Sequence, residues 1–156
     1  MPKIDVKNVP QRKGSGYPAP FNERSRTRTK QSLGDAGGLS DFGVNLTHLP
    51  PGEWSSQRHW HSKEDELIYV LSGEVTLITD DGEEVLHAGD CAAFPRNVPN
   101  GHHFINKGKE VAIYLEVGTR SDDDVCAYPD IDMMIDSKIG WYAHKDGQPY
   151  PKPGGK

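Results

Sequence analysis

At 156 residues, with 34% hydrophobic residues, 17 glycines and 12 prolines, the chain has the length of one domain and the composition of short strands joined by turns. No run nears the ~18 apolar residues of a membrane span, the start "MPKIDVKNVP" lacks the apolar stretch of a signal peptide, and two cysteines exclude a disulfide framework. A soluble, cytoplasmic protein with no membrane partner is expected. The net charge of −5 is uneven, because residues 1–30 hold eight Lys/Arg against two Asp/Glu.

Residues 1–40 read as an extended N-terminal arm, since Pro18 and Pro20 in "GSGYPAPF" rule out a helix. Arg24, Arg26, Arg28 and Lys30 alternate, which puts all four on one face of an extended segment. Contact with the acidic body, of the same chain or of a twin subunit, is the simplest use of that face. No nucleic-acid-reading motif accompanies the charge, so nucleic acid is not the expected partner.

The pattern changes at residue 41. "FGVNLTHL" alternates and ends at Pro50-Pro51-Gly52, and "SQRHWHS" is a short extended stretch. "ELIYVLSG" and "EVTLITD" follow, with a two-residue hairpin expected at Asp81-Gly82 before "EEVLH". "CAAF", "GHHFIN" and "EVAIYLEVG" complete a series of strands spaced for an antiparallel sandwich or barrel over residues 41–120. Cys91, in the apolar "CAAF", is expected to be a buried thiol. Residues 121–156 read as an irregular tail packed on the barrel, with one hairpin near Asp146-Gly147 and a fraying "PKPGGK" end.

In a strand, residues i and i+2 point the same way about 7 Å apart. His59 and His61 therefore present two imidazoles to one face, with Arg58 and Trp60 turned to the other. Glu66 opens the next strand, where its carboxylate can return beside them, with Lys63, Glu64 and Asp65 as the solvated link. A fourth ligand must come from a distant strand, and "PNGHHFIN" offers His102 and His103. By strand parity Gln57 shares the face of His59 and His61, Ile68 and Val70 share that of Glu66, and Phe104 and Asn106 share that of His102. These five are cavity candidates, and Tyr69 faces away.

These stretches carry a resemblance. "PGEWSSQRHWHSKEDELIYVLSG" resembles the first motif of the cupin superfamily, and "GDCAAFPRNVPNGHHFIN" resembles its second. The chain as a whole is similar to small single-domain bacterial cupins, with "GYPAPF" before the motifs and "YPDIDM" after them. The resemblance implies an all-β fold, the cupin double-stranded β-helix or jelly-roll barrel. It also implies one divalent metal held by His59, His61, Glu66 and His102. His102 is preferred over His103 because it stands in the family's H-x-x-x-N spacing, which ends at Asn106. Three departures stand out: six residues separate Gly52 from His59, Asn97 takes the place of a glycine, and the insertion Asn100-Gly101 precedes His102.

Three imidazoles and a carboxylate suit Fe, Mn, Co, Ni, Cu or catalytic Zn rather than a closed structural zinc site. Four ligands leave open positions on an octahedral ion, so a small oxygen-rich molecule is the expected ligand. The function expected is a metal-dependent enzyme, an oxygenase or an isomerase/lyase. The alternatives are a binding or sensing module using the same site, and an arm-mediated interaction protein. A homodimer is expected, with the arm covering a neighbouring subunit's sheet edge.

Overall fold

Strands form nearly everywhere the sequence alternates apolar and polar residues. The computed structural model describes residues 3–152, so the expected fraying of "PKPGGK" falls, from residue 153, outside the described residues. In chain order the strands are β1 (Gln11–Lys13), β2 (Thr29–Ser32), β3 (Phe42–Leu49), β4 (Trp60–His61), β5 (Glu66–Ser72), β6 (Glu74–Thr79) and β7 (Gly82–His87). They continue with β8 (Cys91–Phe94), β9 (His103–Ile105), β10 (Ala112–Thr119), β11 (Val125–Tyr128), β12 (Met133–Asp136) and β13 (Trp141–Ala143). One helical turn, α1 (Leu33–Ala36), links β2 to β3. No helix among the described residues is long and apolar enough to cross a membrane.

Three antiparallel sheets result, in the orders β1-β2-β3-β10-β5-β8, β7-β6-β9 and β13-β12-β11-β4. Inward residues of the first two, among them Leu49, Ile68, Val70, Val75, Phe104 and Tyr114, form the main core. β5 shows the alternation that builds it: Ile68 and Val70 are buried, while Leu67, Tyr69 and Leu71 face solvent. The jelly roll is open where a closed barrel is expected. Between the H-x-H segment and β9 runs a single bridge, His59 to His102, while β4 pairs with β11.

That pairing also corrects the expectation of an irregular tail. β11, β12 and β13 form a sheet of their own, and Cys126, Tyr128 and Met133 pack with Tyr17 of the arm in a second core. The strands are three or four residues long and separated by four-residue turns, too short for alternation to stand out. The hairpin near Asp146-Gly147 forms, with His144 donating to the Gln148 carbonyl.

Within the chain, the arm pairs its β2 with β3, Lys30 opposite Thr47. Its four cations do not share a face, because Glu23–Ser25 is a 3-10 turn and only Thr29–Ser32 is strand. Arg24 lies over the Trp54 ring, whereas Lys30 turns inward with the buried Thr47. Two further corrections are local. Cys91 is exposed on the edge strand β8. The β6–β7 turn is Asp80-Asp81, since Thr79 pairs with Gly82.

Gly73 turns β5 into β6 with a φ of 75°, and a Cβ there would meet Val111 O and Ala112 Cα at 3.1 Å. The left-handed backbone alone costs a side chain about 1–2 kcal/mol. Gly73→Ala is therefore expected to lower the urea midpoint by at least that much at an unchanged m value, measured by equilibrium unfolding.

Candidate metal centre

The site is assembled by backbone first. His59 and His102 exchange two hydrogen bonds, His59 N to His102 O at 3.1 Å and His102 N to His59 O at 2.9 Å. This narrow pair brings the two motifs together across the gap between sheets. His61 follows two residues on in β4, and Glu66 is the first residue of β5, sharing the inward row of Ile68 and Val70.

The side chains then converge on one atom. Glu66 Oε2 lies 3.0 Å from His102 Nε2, 3.5 Å from His61 Nε2 and 3.6 Å from His59 Nε2. His59 Nδ1 donates to the Gln57 carbonyl at 2.9 Å, and His61 Nδ1 donates to Asp124 Oδ2 at 2.7 Å. In the neutral rings this puts both Nε2 lone pairs at the Glu66 oxygen. Three electron-rich groups facing one another are stable only around protons or a cation. Donors on an ion with bonds of about 2.1 Å stand about 3.0–3.4 Å apart, close to the spacing around Oε2. His59, Glu66 and His102 form one mutually close donor group that fits a divalent ion, and His61 reaches that group through its approach to Glu66.

The electrostatics agree. Burial alone would raise Glu66, but hydrogen bonds with His102 and His59 outweigh it and hold its carboxyl well below the ordinary range. For His59, burial opposes the charged ring, and the hydrogen bond to Glu66 overcomes it, a net upward shift. For His61, burial is outweighed by Cys126 and Glu66, and the ring is pushed up to about 9. His102 goes the other way, lowered by burial beneath the stacked Phe94 ring.

His102, not its neighbour, faces the cluster. His103 donates from Nδ1 to Ser56 O at 3.0 Å and packs edge-on against Trp54. Ile68 and Phe104 line a cavity of about 210 Å³ together with His59, Glu66 and His102. Val70 lies deeper, in the main core. Two expected cavity residues are otherwise engaged. Gln57 precedes the strand, and its amide donates to Phe21 O at 2.8 Å. Asn106 is buried, donating to Leu49 O at 2.7 Å and Glu110 O at 2.8 Å and accepting from Gly108 N at 2.9 Å. Trp60, expected to turn away, lines a second cavity of about 200 Å³ on the outer side with Phe94, Pro95 and Val98.

Four residues near the site were not singled out by pattern. Asp124 orients His61 and also accepts from Lys63 N at 2.8 Å and Ser62 Oγ at 3.2 Å. Cys126 sits opposite His61 in the β4–β11 register and forms a second possible donor group with His59 and His61, so sulfur is not absent from the donors in reach. Glu64, expected in the solvated link, lines the outer cavity. Glu116 shares the inward row of Ala112 and Tyr114 on β10 and contacts Lys30 at 2.5 Å. The parity of "EVAIYLEVG" contains the signal for Glu116; for Asp124 and Cys126 only the tail sheet reveals it.

A jelly roll that gathers H-x-H, a glutamate and a distant histidine at one end of its sheets defines a class of metal-site β proteins, and the comparisons specify it. The family model described as "Cupin domain" matches residues 45–118. A sugar phosphate isomerase from a cupin superfamily of Silicibacter pomeroyi is 44% identical over 96% of this chain and 97% of that one, with a TM-score of 0.91. A putative sugar phosphate isomerase of Acidithiobacillus ferrooxidans is 31% identical over 90% and 89%, at 0.77. A polyketide cyclase of Streptomyces resistomycificus, 21% identical over 76% and 79% at 0.60, shares the fold. Comparison with curated proteins gives no match. The chain belongs to the cupin superfamily.

Removing an orienting carboxylate typically weakens metal affinity about 10–100-fold. Asp124→Asn is expected to do so with the fold intact, and His61→Ala to abolish stoichiometric uptake, both read by elemental analysis and calorimetric titration. The pH dependence has a definite sign. A raised histidine stabilises the metal-free chain below its unfolded value of about 6.5, and that contribution is lost as pH rises through about 9. A metal needs the same nitrogens deprotonated. The gain in Tm on adding Mn(II) or Zn(II) should therefore grow between those two pH values, and a gain independent of pH would contradict the assignment.

Proposed function

We propose that the chain is a metal-dependent isomerase of a small phosphorylated sugar, with one divalent ion held by His59, His61, Glu66 and His102. The observation that carries the reading is the inner cavity. The ligand wall of His59, Glu66 and His102 faces the same space as the Lys30–Glu116 pair, at 2.5 Å. A Lewis acid is thereby set beside a proton-carrying pair within one site. The 44% identity to a protein described as a sugar phosphate isomerase supports the same class.

The bound ion would supply Lewis acidity to adjacent oxygens of the substrate. The protein's own groups handle the proton. Glu116 takes it from the carbon bearing a hydroxyl and returns it to the neighbouring carbonyl carbon, while the hydroxyl proton passes through Lys30 to the carbonyl oxygen, so no oxidant or reductant is consumed. Burial pushes the Lys30 amine down, against the pull of Glu116, which suits the amine to pass a proton. Ile68 and Phe104 keep that side of the cavity dry.

Incubating the Mn(II)-loaded chain anaerobically with aldose and ketose phosphates should produce the isomer, read by proton NMR in deuterated water as exchange at one carbon. Glu116→Gln should lower kcat by about 10²–10⁴-fold with unchanged metal content. Product formed only with O₂ uptake would mark an oxygenase instead. Ligand-induced stabilisation without product would mark a binding module.

A further inference from the structure

Among the charges of the inner cavity, one has no counterpart. Lys30 is matched by Glu116 and Glu66 by the histidines. Arg28, 7% exposed and lining the same cavity, forms no ion pair among the described residues. Among the described residues its side chain makes one hydrogen bond, a long one from Nε to the Gly14 carbonyl at 3.4 Å. Gly14 N donates back to Arg28 O at 2.9 Å, so the arm holds the residue at both ends of its backbone and side chain. The remaining guanidinium N–H groups are left for the cavity.

A buried cation without a partner is unfavourable unless an anion arrives to meet it. The cavity also offers the hydroxyls of Tyr17 and Tyr142, while Ser55 Oγ already accepts from Phe104 N at 2.9 Å. A planar guanidinium presents parallel donors that match the oxygens of a phosphate or carboxylate. About 210 Å³ is room for roughly seven waters at ~30 Å³ each, or for a small sugar derivative in their place.

We propose that Arg28, carried by the arm, is the anion-binding residue of the inner cavity and takes the phosphate monoester of the substrate whose hydroxyl end faces the metal ligands. The assignment rests on reading this cavity as the substrate site. It gives the arm a role in specificity, since the arm supplies the charge that the jelly roll itself lacks there.

The test uses calorimetry on the full metal-loaded chain with inorganic phosphate, then with ribose 5-phosphate, ribose and ribonate. Phosphate and ribose 5-phosphate should bind, with Arg28→Met weakening both at least about tenfold and Arg28→Lys recovering part of the loss at unchanged metal content. Equal affinity of wild type and Arg28→Met, or no phosphate binding at all, overturns the proposal. Ribonate binding more tightly than ribose 5-phosphate overturns the phosphate assignment. Should Arg28→Met not fold, the wild type decides alone: ribose 5-phosphate must bind at least about tenfold more tightly than ribose, and equal binding overturns the idea. Arg28-dependent phosphate binding without isomer formation would sink the isomerase reading and leave this one standing.

Discussion

Glu66 Oε2 is the point on which the architecture turns, because three imidazole nitrogens lie within 3.6 Å of a single carboxylate oxygen. Such a cluster cannot exist in neutral, metal-free form without repulsion, and it is not paid for by local sequence. It is held by a backbone bridge between His59 and His102, by the inward parity of β5, and by Asp124 gripping the far side of His61. Each of these comes from a different part of the chain. The site is thus a property of the assembled sheets, which explains why β4, only two residues long, is fastened on both sides.

The ligands also form a partition. Glu66 and His102 line both cavities, one outward with Trp60, Phe94, Pro95 and Val98, the other inward with Arg28, Lys30, Glu116 and two tyrosines. The outer side mixes apolar groups with His61, Glu64, Thr79 and Asn100, while the inner side holds the two cations Arg28 and Lys30. A polar molecule with an anionic end is better matched to the inner space, where each of its groups can find a donor. The arm makes that space what it is: without β2 and the loop before it, the inner cavity would lose Tyr17, Arg28 and Lys30 together.

Much of this was legible in the sequence where period two rules. The strands from Phe42 to Thr119 follow their alternation, and the facing of His59, His61, Glu66, Ile68 and Tyr69 follows from parity. Parity fails where a polar side chain finds a nearer partner than the cavity. Asn106 satisfies three backbone groups and closes the β9–β10 loop, while Gln57 lies before the strand and reaches the arm. Asp124 and Arg28 were not legible as site residues for another reason. They sit 63 and 31 positions from His61 and His59 in the chain, and only sheet pairing makes them neighbours.

The departures from the family motifs have a common structural reading. Asn97 adopts a φ of 60°, the left-handed conformation that asparagine tolerates best after glycine, so the replacement keeps the turn. In the insertion, Asn100 accepts from Asp80 N at 2.9 Å and donates to Asp81 Oδ2 at 2.8 Å, which ties the β6–β7 turn to the ligand segment. Gly101 admits Pro129 of the tail, whose Cγ would lie 2.8 Å from any Cβ placed there. Arg58 completes the arrangement from the outer face of the H-x-H segment, pairing with Asp80 on the turn and, through two hydrogen bonds of 2.8 and 2.6 Å, with Asp130 on the tail. The side chain next to His59 therefore spans the hairpin and the tail, and the two inserted residues next to His102 contact the same two elements. Insertion, tail and Arg58 thus form one connected set of contacts beside His102.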